Sequence, residues 1–280
     1  MEVELLKPSG FCFGVSYAID KIKQVRLENP DTPIYVYGML IHNKHIIKEL
    51  FDLNIYTIDK KDDLSKLQKG IMCSTAHGIS EAEINHIKEN GFEFINATCP
   101  IVFKAIDNIK KELDQGYEVL YLGKHNHPET IASCSISDKI HLICEKEDVL
   151  NCPNDRKYAL TCQTTMTKME LMELYDYLII NGYDVKLLND VCGTTTLRQK
   201  RLIETGKNYD AIFIVGDPKS NNNTKLFNLA KEINPNSYFI QSKDELLNMN
   251  ITYDKVLVGS GTSTPQKVID EVINYLESIE

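Results

Sequence analysis

Three cysteines stand in comparable surroundings along this chain: Cys12 in GFCFGV, Cys99 in NATCPIV and Cys192 in NDVCGTT. A single cysteine can be core packing, a nucleophile, half of a disulfide or a metal ligand. Shared spacing narrows the choice. Each one precedes a helix-like segment (YAIDKIKQV, FKAIDNIKKEL, LRQKRLIETG) and then an apolar strand ending in glycine, at Gly38, Gly123 and Gly216. The cysteine-to-glycine separations are 26, 24 and 24 residues, the mark of an internal repeat.

Each glycine opens a polar turn: MLIHN with His42, KHNHPE with His127 and Glu129, and DPKSNNN with Ser220 to Asn223. A second strand in each unit ends in small hydroxyl or histidine residues, matching His77, Thr164 and Ser263 at 65, 65 and 71 residues from the unit's cysteine. Helix signals follow these strands. Ser80 with Glu83 reads as a capping box, Thr164 or Thr165 precedes TKMELMELYDYL, and Pro265 suits a first helical turn. The alternation predicts an α/β chain of three βαβ-rich units of about 90 residues, each a small parallel sheet flanked by helices. Ligands bind such sheets at the carboxyl ends of the strands, where all of these turns fall.

Composition sets the outer bounds. The 280 residues are 42% hydrophobic and 25% charged, as in soluble globular proteins, and the apolar runs are strand-length. No basic region followed by an apolar run opens the chain, so a cytoplasmic protein is expected. A net charge of -9 with only four arginines argues against a nucleic-acid surface. Eight cysteines without a secretory signal point to thiols or metal ligands, and no CxxC pair supports a zinc ribbon or a thioredoxin motif.

Three thiolates at one centre favour zinc or an iron–sulfur cluster. A closed zinc site needs a fourth ligand, which the repeat does not supply. Three cysteines around a cubane leave one iron without a protein ligand, able to act as a Lewis acid while electrons pass through the cluster. His42, His77, His127, Thr164, Ser220, Asn222 and Ser263 form a set of donors suited to a phosphate or diphosphate, several at helix N-termini. Glu129 is the one carboxylate in these turns and the natural proton donor. Cys73, Cys134, Cys144, Cys152 and Cys162 fall outside the register, with Cys73 and Cys162 reading as buried small hydrophobes. His45, His86, His125 and His141 read as surface or turn residues. On residues alone, a reductase, a redox-neutral hydro-lyase and a cluster-bearing sensor all remain open.

In chain order, GFCFGV, IHN, STAHG, ATCP, HPE, QTT, DVCGTT, KSNNN and SGTSTP closely resemble the motifs of the 4-hydroxy-3-methylbut-2-enyl diphosphate reductase family. The resemblance covers essentially the whole chain. It implies a trefoil of three αβα domains, 15–98, 99–188 and 189–280, with segment 1–14 packed on the third. At its centre the resemblance implies a [4Fe-4S] cluster held by Cys12, Cys99 and Cys192, with one iron lacking a protein ligand. The implied reaction is reductive dehydroxylation of an allylic diphosphate to isopentenyl and dimethylallyl diphosphate, the last step of the non-mevalonate isoprenoid pathway. Substrate contacts implied are His42, His77, His127, Thr164, Thr165, Ser220, Asn221, Asn222 and Ser263, with Glu129 and Thr164 delivering protons. The partner implied is an electron donor such as flavodoxin or ferredoxin. Neither nucleic acid nor membrane is expected as a partner, and the protein is expected to be a monomer. Two positions depart from the family pattern: Asn221 stands where serine is frequent, and Asn126 where glycine is usual.

Overall fold

The computed structural model describes residues 1–41, 43–188 and 191–279, so His42 lies outside the described residues. Strand β1 (Glu2–Leu5) leads through the Cys12 loop into helix α1 (Phe13–Glu28). Then come β2 (Ile34–Tyr37), α2 (Lys44–Asp52), β3 (Ile55–Ile58), β4 (Ile71–Cys73), α3 (Glu81–Glu89) and β5 (Glu93–Ile95). The next repeat runs α4 (Pro100–Asp114), β6 (Glu118–Leu122), α5 (Pro128–Cys134), β7 (Ile140–Ile143), β8 (Lys157–Cys162), α6 (Lys168–Ile180) and β9 (Asp184–Leu187). The last runs α7 (Gly193–Thr205), β10 (Ala211–Val215), α8 (Asn221–Ile233), β11 (Ser237–Ile240), β12 (Lys255–Ser260) and α9 (Gln266–Glu277).

These strands form three parallel four-stranded sheets, ordered β3-β2-β4-β5, β7-β6-β8-β9 and β11-β10-β12-β1. The order is the same in all three. The fourth strand of the third sheet is β1, drawn from the other end of the chain, with Glu2 to Leu5 in register with Lys255 to Val258. Each fourth strand therefore leads into one of the three cysteines and then a helix.

Parallel sheets are covered on both faces, which is why their inner strands read as unbroken apolar runs. In the third sheet Phe213, Val215, Val256 and Val258 meet Val268, Ile269, Val272 and Leu276 of α9. The alternate residues Ile212, Ile214 and Leu257 meet Leu202 of α7 and Leu226 and Ala230 of α8. The second sheet repeats the plan. Leu120, Leu122, Leu160 and Cys162 lie against Leu171, Leu174 and Leu178 of α6, while Val119 and Tyr121 share a cluster with Ile109 of α4. Each such aliphatic side chain contributes about 1.5–3 kcal/mol by leaving water. Within each sheet this packing fixes where the strand-end turns emerge.

The chain divides into two compact units. One comprises residues 1–16, 41–47 and 193–280 and holds the third sheet; the other comprises 17–40 and 48–192 and holds the first and second.

Two helix starts differ from the sequence expectation. The cap of α6 is Thr167, whose hydroxyl accepts from Glu170 N–H while the Glu170 side chain returns to Thr167 N–H. A capping box needs its acid three residues on, which Thr167 has and neither Thr164 nor Thr165 does. Pro265 is the cap residue immediately before α9 rather than a member of its first turn. The Ser80–Glu83 box is present as expected. Among the described residues no helix is long and apolar enough to cross a membrane.

Candidate active site

The three cysteines hold one backbone position in three sheets. Cys12 N–H donates to Thr262 C=O (3.2 Å), Cys99 N–H to Ala76 C=O (3.0 Å) and Cys192 N–H to Thr164 C=O (2.9 Å). Each acceptor lies just past the third strand in its sheet's order. Each cysteine immediately precedes a helix: Cys99 caps α4, and its carbonyl accepts Phe103 N–H (3.0 Å) as the Cys12 carbonyl accepts Ser16 N–H (3.0 Å). Cys12 Sγ also accepts Val15 N–H at 3.4 Å.

Burial pushes the Cys73 thiol up to about 12 and Cys134 up to about 11, and burial also raises Cys144 and Cys152. Cys73 and Cys162 are fully buried, as small hydrophobes are. Position at a helix start beside a strand-end carbonyl separates the three cysteines from the others. Among the described residues no three His, Cys, Asp or Glu side chains are grouped to hold a metal ion.

Around Cys192 the second sheet builds a polar constellation. Glu129, in the first turn of α5, is 1% exposed. Its Oε1 accepts Thr164 N–H (2.7 Å), and its Oε2 lies 2.9 Å from Thr164 Oγ1. A buried carboxyl group is costly without such bonds. The Thr164 hydroxyl can donate to the carboxylate or accept from the acid. Thr164 is also the residue whose carbonyl receives Cys192 N–H.

His127 caps α5, its Nδ1 accepting Glu129 N–H at 3.2 Å. In the neutral ring this leaves the proton on Nε2, available to donate. Burial first, then neighbouring His77 and Lys124, pull the His127 pKa from 6.5 to about 3, so the ring is neutral near pH 7. The His77 ring sits edge-on, centroids 5.4 Å apart. Gly78 follows at φ +94, close against α5: a Cβ there would come within 3.2 Å of Ala132. His77 directly follows Ala76, the acceptor for Cys99. Asn126, the departure from glycine, has φ +60, a left-handed conformation that asparagine tolerates better than other side chains. Thr165 accepts from Gln163 Nε2 at 2.5 Å.

The third sheet repeats the frame around Cys12 with different chemistry. Ser220 caps α8 and its Oγ accepts from Ser263 Oγ (3.1 Å), with Asn221 the first residue of the helix. Asn222 Oδ1 accepts Thr262 N–H (3.0 Å), and its Nδ2 donates to Thr195 Oγ1 (3.1 Å). A helix start carrying hydroxyls and amides is a natural anion seat. Asn223 is fully buried and fills space left by glycines: a Cβ at Gly261 would lie 1.4 Å from its Oδ1. Its Nδ2 donates to Asp217 C=O (3.2 Å) and Ser263 Oγ (3.5 Å), holding the turn rather than facing outward.

Two features escaped the sequence reading. Thr195, 2% exposed and bonded to Asn222, was signalled only by the hydroxyl run after Cys192. The register also shifts by one residue: the cysteine hydrogen bonds match Ala76 with Thr164 and Thr262, so His77 corresponds to Thr165 and Ser263 rather than to Thr164 and Ser263.

Comparison with known proteins bears on the family and the fold. Residues 3–277 match the family model described as LytB protein. A protein from Exiguobacterium sp. named 4-hydroxy-3-methylbut-2-enyl diphosphate reductase is 34% identical over 100% of this chain and 92% of its own length. One of the same name from Geobacillus sp. is 36% identical over 100% of this chain and 91% of its own. Among solved structures, the E-1-hydroxy-2-methyl-but-2-enyl-4-diphosphate reductase from Plasmodium falciparum matches with TM-score 0.89 at 26% identity, over 99% of this chain and 88% of that one. A second, described as the terminal enzyme of the non-mevalonate pathway, matches with TM-score 0.71 at 26% identity over 99% of each chain.

Proposed function

This chain belongs to the LytB protein family, and we propose that it reduces 4-hydroxy-3-methylbut-2-enyl diphosphate to isopentenyl and dimethylallyl diphosphate. The family is one of iron–sulfur enzymes. The finer reading is a [4Fe-4S] cluster held by Cys12, Cys99 and Cys192, with one iron lacking a protein ligand. The observation that carries it is the shared backbone position of the three cysteines, each at a helix start with its N–H tied to a strand-end carbonyl. A cluster so held supplies electrons singly and a Lewis-acidic iron for the substrate's hydroxyl oxygen.

The chain's own residues do the rest. His127 Nε2–H, His77, Ser220, Asn221, Asn222 and Ser263 bind and orient the diphosphate. His42 joins them by sequence resemblance. Neutral donors suit this task, because they hold an anion without the desolvation cost of a buried cation. Glu129 moves a proton to the substrate side through the Thr164 hydroxyl, with which it already shares a hydrogen bond. Thr165 completes the turn beside Thr164. The electron donor is a flavodoxin or ferredoxin type of protein.

Anaerobic purification with iron and sulfide analysis, followed by a reductant-dependent turnover assay, tests this reading. Serine in place of Cys12, Cys99 or Cys192 singly should remove most bound iron and turnover. Cys134→Ser, whose thiol burial raises, should change neither. Full iron and turnover in all three serine variants would refute the ligand set. Turnover of the substrate without any reductant would instead identify a redox-neutral hydro-lyase.

A further inference from the structure

The helix that follows Cys192 carries a buried guanidinium where the other two cysteine-led helices carry alanine. Arg198 stands six residues past Cys192, and the same offset from Cys12 and Cys99 falls on Ala18 and Ala105. Exposures are 1%, 0% and 5% respectively, so all three face inward. Arg198 Nη1 donates to Ser260 C=O and Nη2 to Gly10 C=O, both at 2.6 Å. Gly10 lies two residues before Cys12, and Ser260 two residues before Thr262, the acceptor for Cys12 N–H.

The first sheet shows what this joint looks like without an arginine. There Ala97 N–H donates to Ser74 Oγ (2.8 Å) and Cys99 N–H to Ala76 C=O (3.0 Å). The third sheet has the same two rungs, Gly10 N–H to Ser260 Oγ (3.1 Å) and Cys12 N–H to Thr262 C=O (3.2 Å). The difference is covalent. In the first sheet α3 links β4 directly to β5, whereas no short connection links β12 to β1, which lie at opposite ends of the chain. Closing that gap costs chain entropy which the other joints have already covered by connectivity. Charge-assisted bonds from a guanidinium are the strong kind, and its fork can hold both sides at once.

We propose that Arg198 is a positioning residue that clamps the Cys12 loop onto the end of β12, substituting for the chain connection which that joint lacks. The proposal rests on Cys12 being a cluster ligand, as read above. It is tested by amide hydrogen exchange on the metal-free full chain, then by iron, sulfide and the electron paramagnetic resonance spectrum after anaerobic reconstitution. Arg198→Met should raise exchange in residues 6–14 by about tenfold or more, the scale of a lost charged hydrogen bond, and leave the Cys99 loop protected. Iron retention should fall toward that of Cys12→Ser. Arg198→Lys should recover part of both, since an ammonium can reach one carbonyl at a time.

Unchanged protection of residues 6–14 in both variants would overturn the proposal, whatever the cluster does. Loosening spread through the whole chain in Arg198→Lys would also overturn it, making Arg198 a general core residue. If the loop loosens while iron and spectrum stay at parental values, Cys12→Ser decides. Retained cluster in that variant refutes Cys12 as a ligand, and lost cluster refutes the clamp.

Discussion

Glu129 and Asn222 occupy the same place in two sheets, six residues past Gly123 and Gly216. Each accepts a backbone N–H, from Thr164 and Thr262 respectively, and the carbonyls of those threonines receive the N–H of Cys192 and Cys12. The helix caps match too, His127 four residues past one glycine and Ser220 four past the other. What differs is charge. The second sheet places a carboxyl group against a hydroxyl; the third places a carboxamide against a hydroxyl. An amide holds an anion without repelling it, whereas a carboxylate earns its place beside a diphosphate only if it handles a proton. The duplicated frame thus offers the two tasks proposed above, proton delivery and anion binding, a separate copy of one turn each.

The largest effect expected from disturbing this difference comes from neutralising the acid. Glu129→Gln keeps an oxygen for Thr164 N–H and offers Thr164 Oγ1 a donor, so the frame should stand. Turnover should fall by at least about 100-fold, the usual lower bound for a lost general acid, while substrate still binds. Steady-state assays with a binding titration decide it: loss of binding with turnover kept at saturation would make Glu129 a binding residue.

Next in size is the cap beside it. His127 has its pKa depressed from 6.5 to about 3 by burial, then by His77 and Lys124. A depressed folded-state pKa contributes stability that is complete above about pH 6.5 and drains away as pH falls toward 3. At pH 5 the cost is about 2 kcal/mol relative to pH 7. His127→Asn should flatten that acid limb in urea unfolding measured from pH 7 to 5. Parallel limbs in variant and parent would show that His127 takes up its proton in the fold as readily as in the unfolded chain.

The converse change is smaller. Asn222→Asp puts an acid at the third sheet's equivalent position, still able to accept from Thr262 N–H. Repulsion of the diphosphate should raise KM by about tenfold with kcat largely kept, and the penalty should shrink in high salt. A fall in kcat alone would deny Asn222 its anion-binding role.

The smallest effect concerns the turn before His127. Asn126 sits at φ +60, so Asn126→Gly should change stability by less than about 1 kcal/mol. Asn126→Ala should destabilise by about 1–2 kcal/mol, the left-handed penalty of an ordinary side chain. Thermal melts of the two variants distinguish them; equal midpoints would mean the turn relaxes.

Much of the candidate site was legible because it lies in short local motifs. Cys99, His127, Glu129, Ser220 and Asn222 each sit at a helix start or a strand-end turn, where residue type and position are dictated together. The Ser80–Glu83 box was readable for the same reason. The α6 cap was misplaced because QTTMT offers three threonines in five residues, and only the acid at Glu170 selects Thr167. The one-residue shift that matches His77 to Thr165 could not be read at all, since long-range backbone hydrogen bonds define it.

The sequence by itself determined the threefold repeat, the residue types in its turns and the family. Periodicity, glycine at strand ends and cap chemistry are local, and they survive in one dimension. Tertiary structure alone decided that β1 completes the third sheet, that Thr195 meets Asn222, and that Arg198 reaches Gly10 and Ser260. Those contacts join residues 27 to 253 positions apart. Nothing in a neighbouring stretch of chain specifies such a pairing, because it is chosen by the burial of both sheet faces and the satisfaction of backbone groups at once.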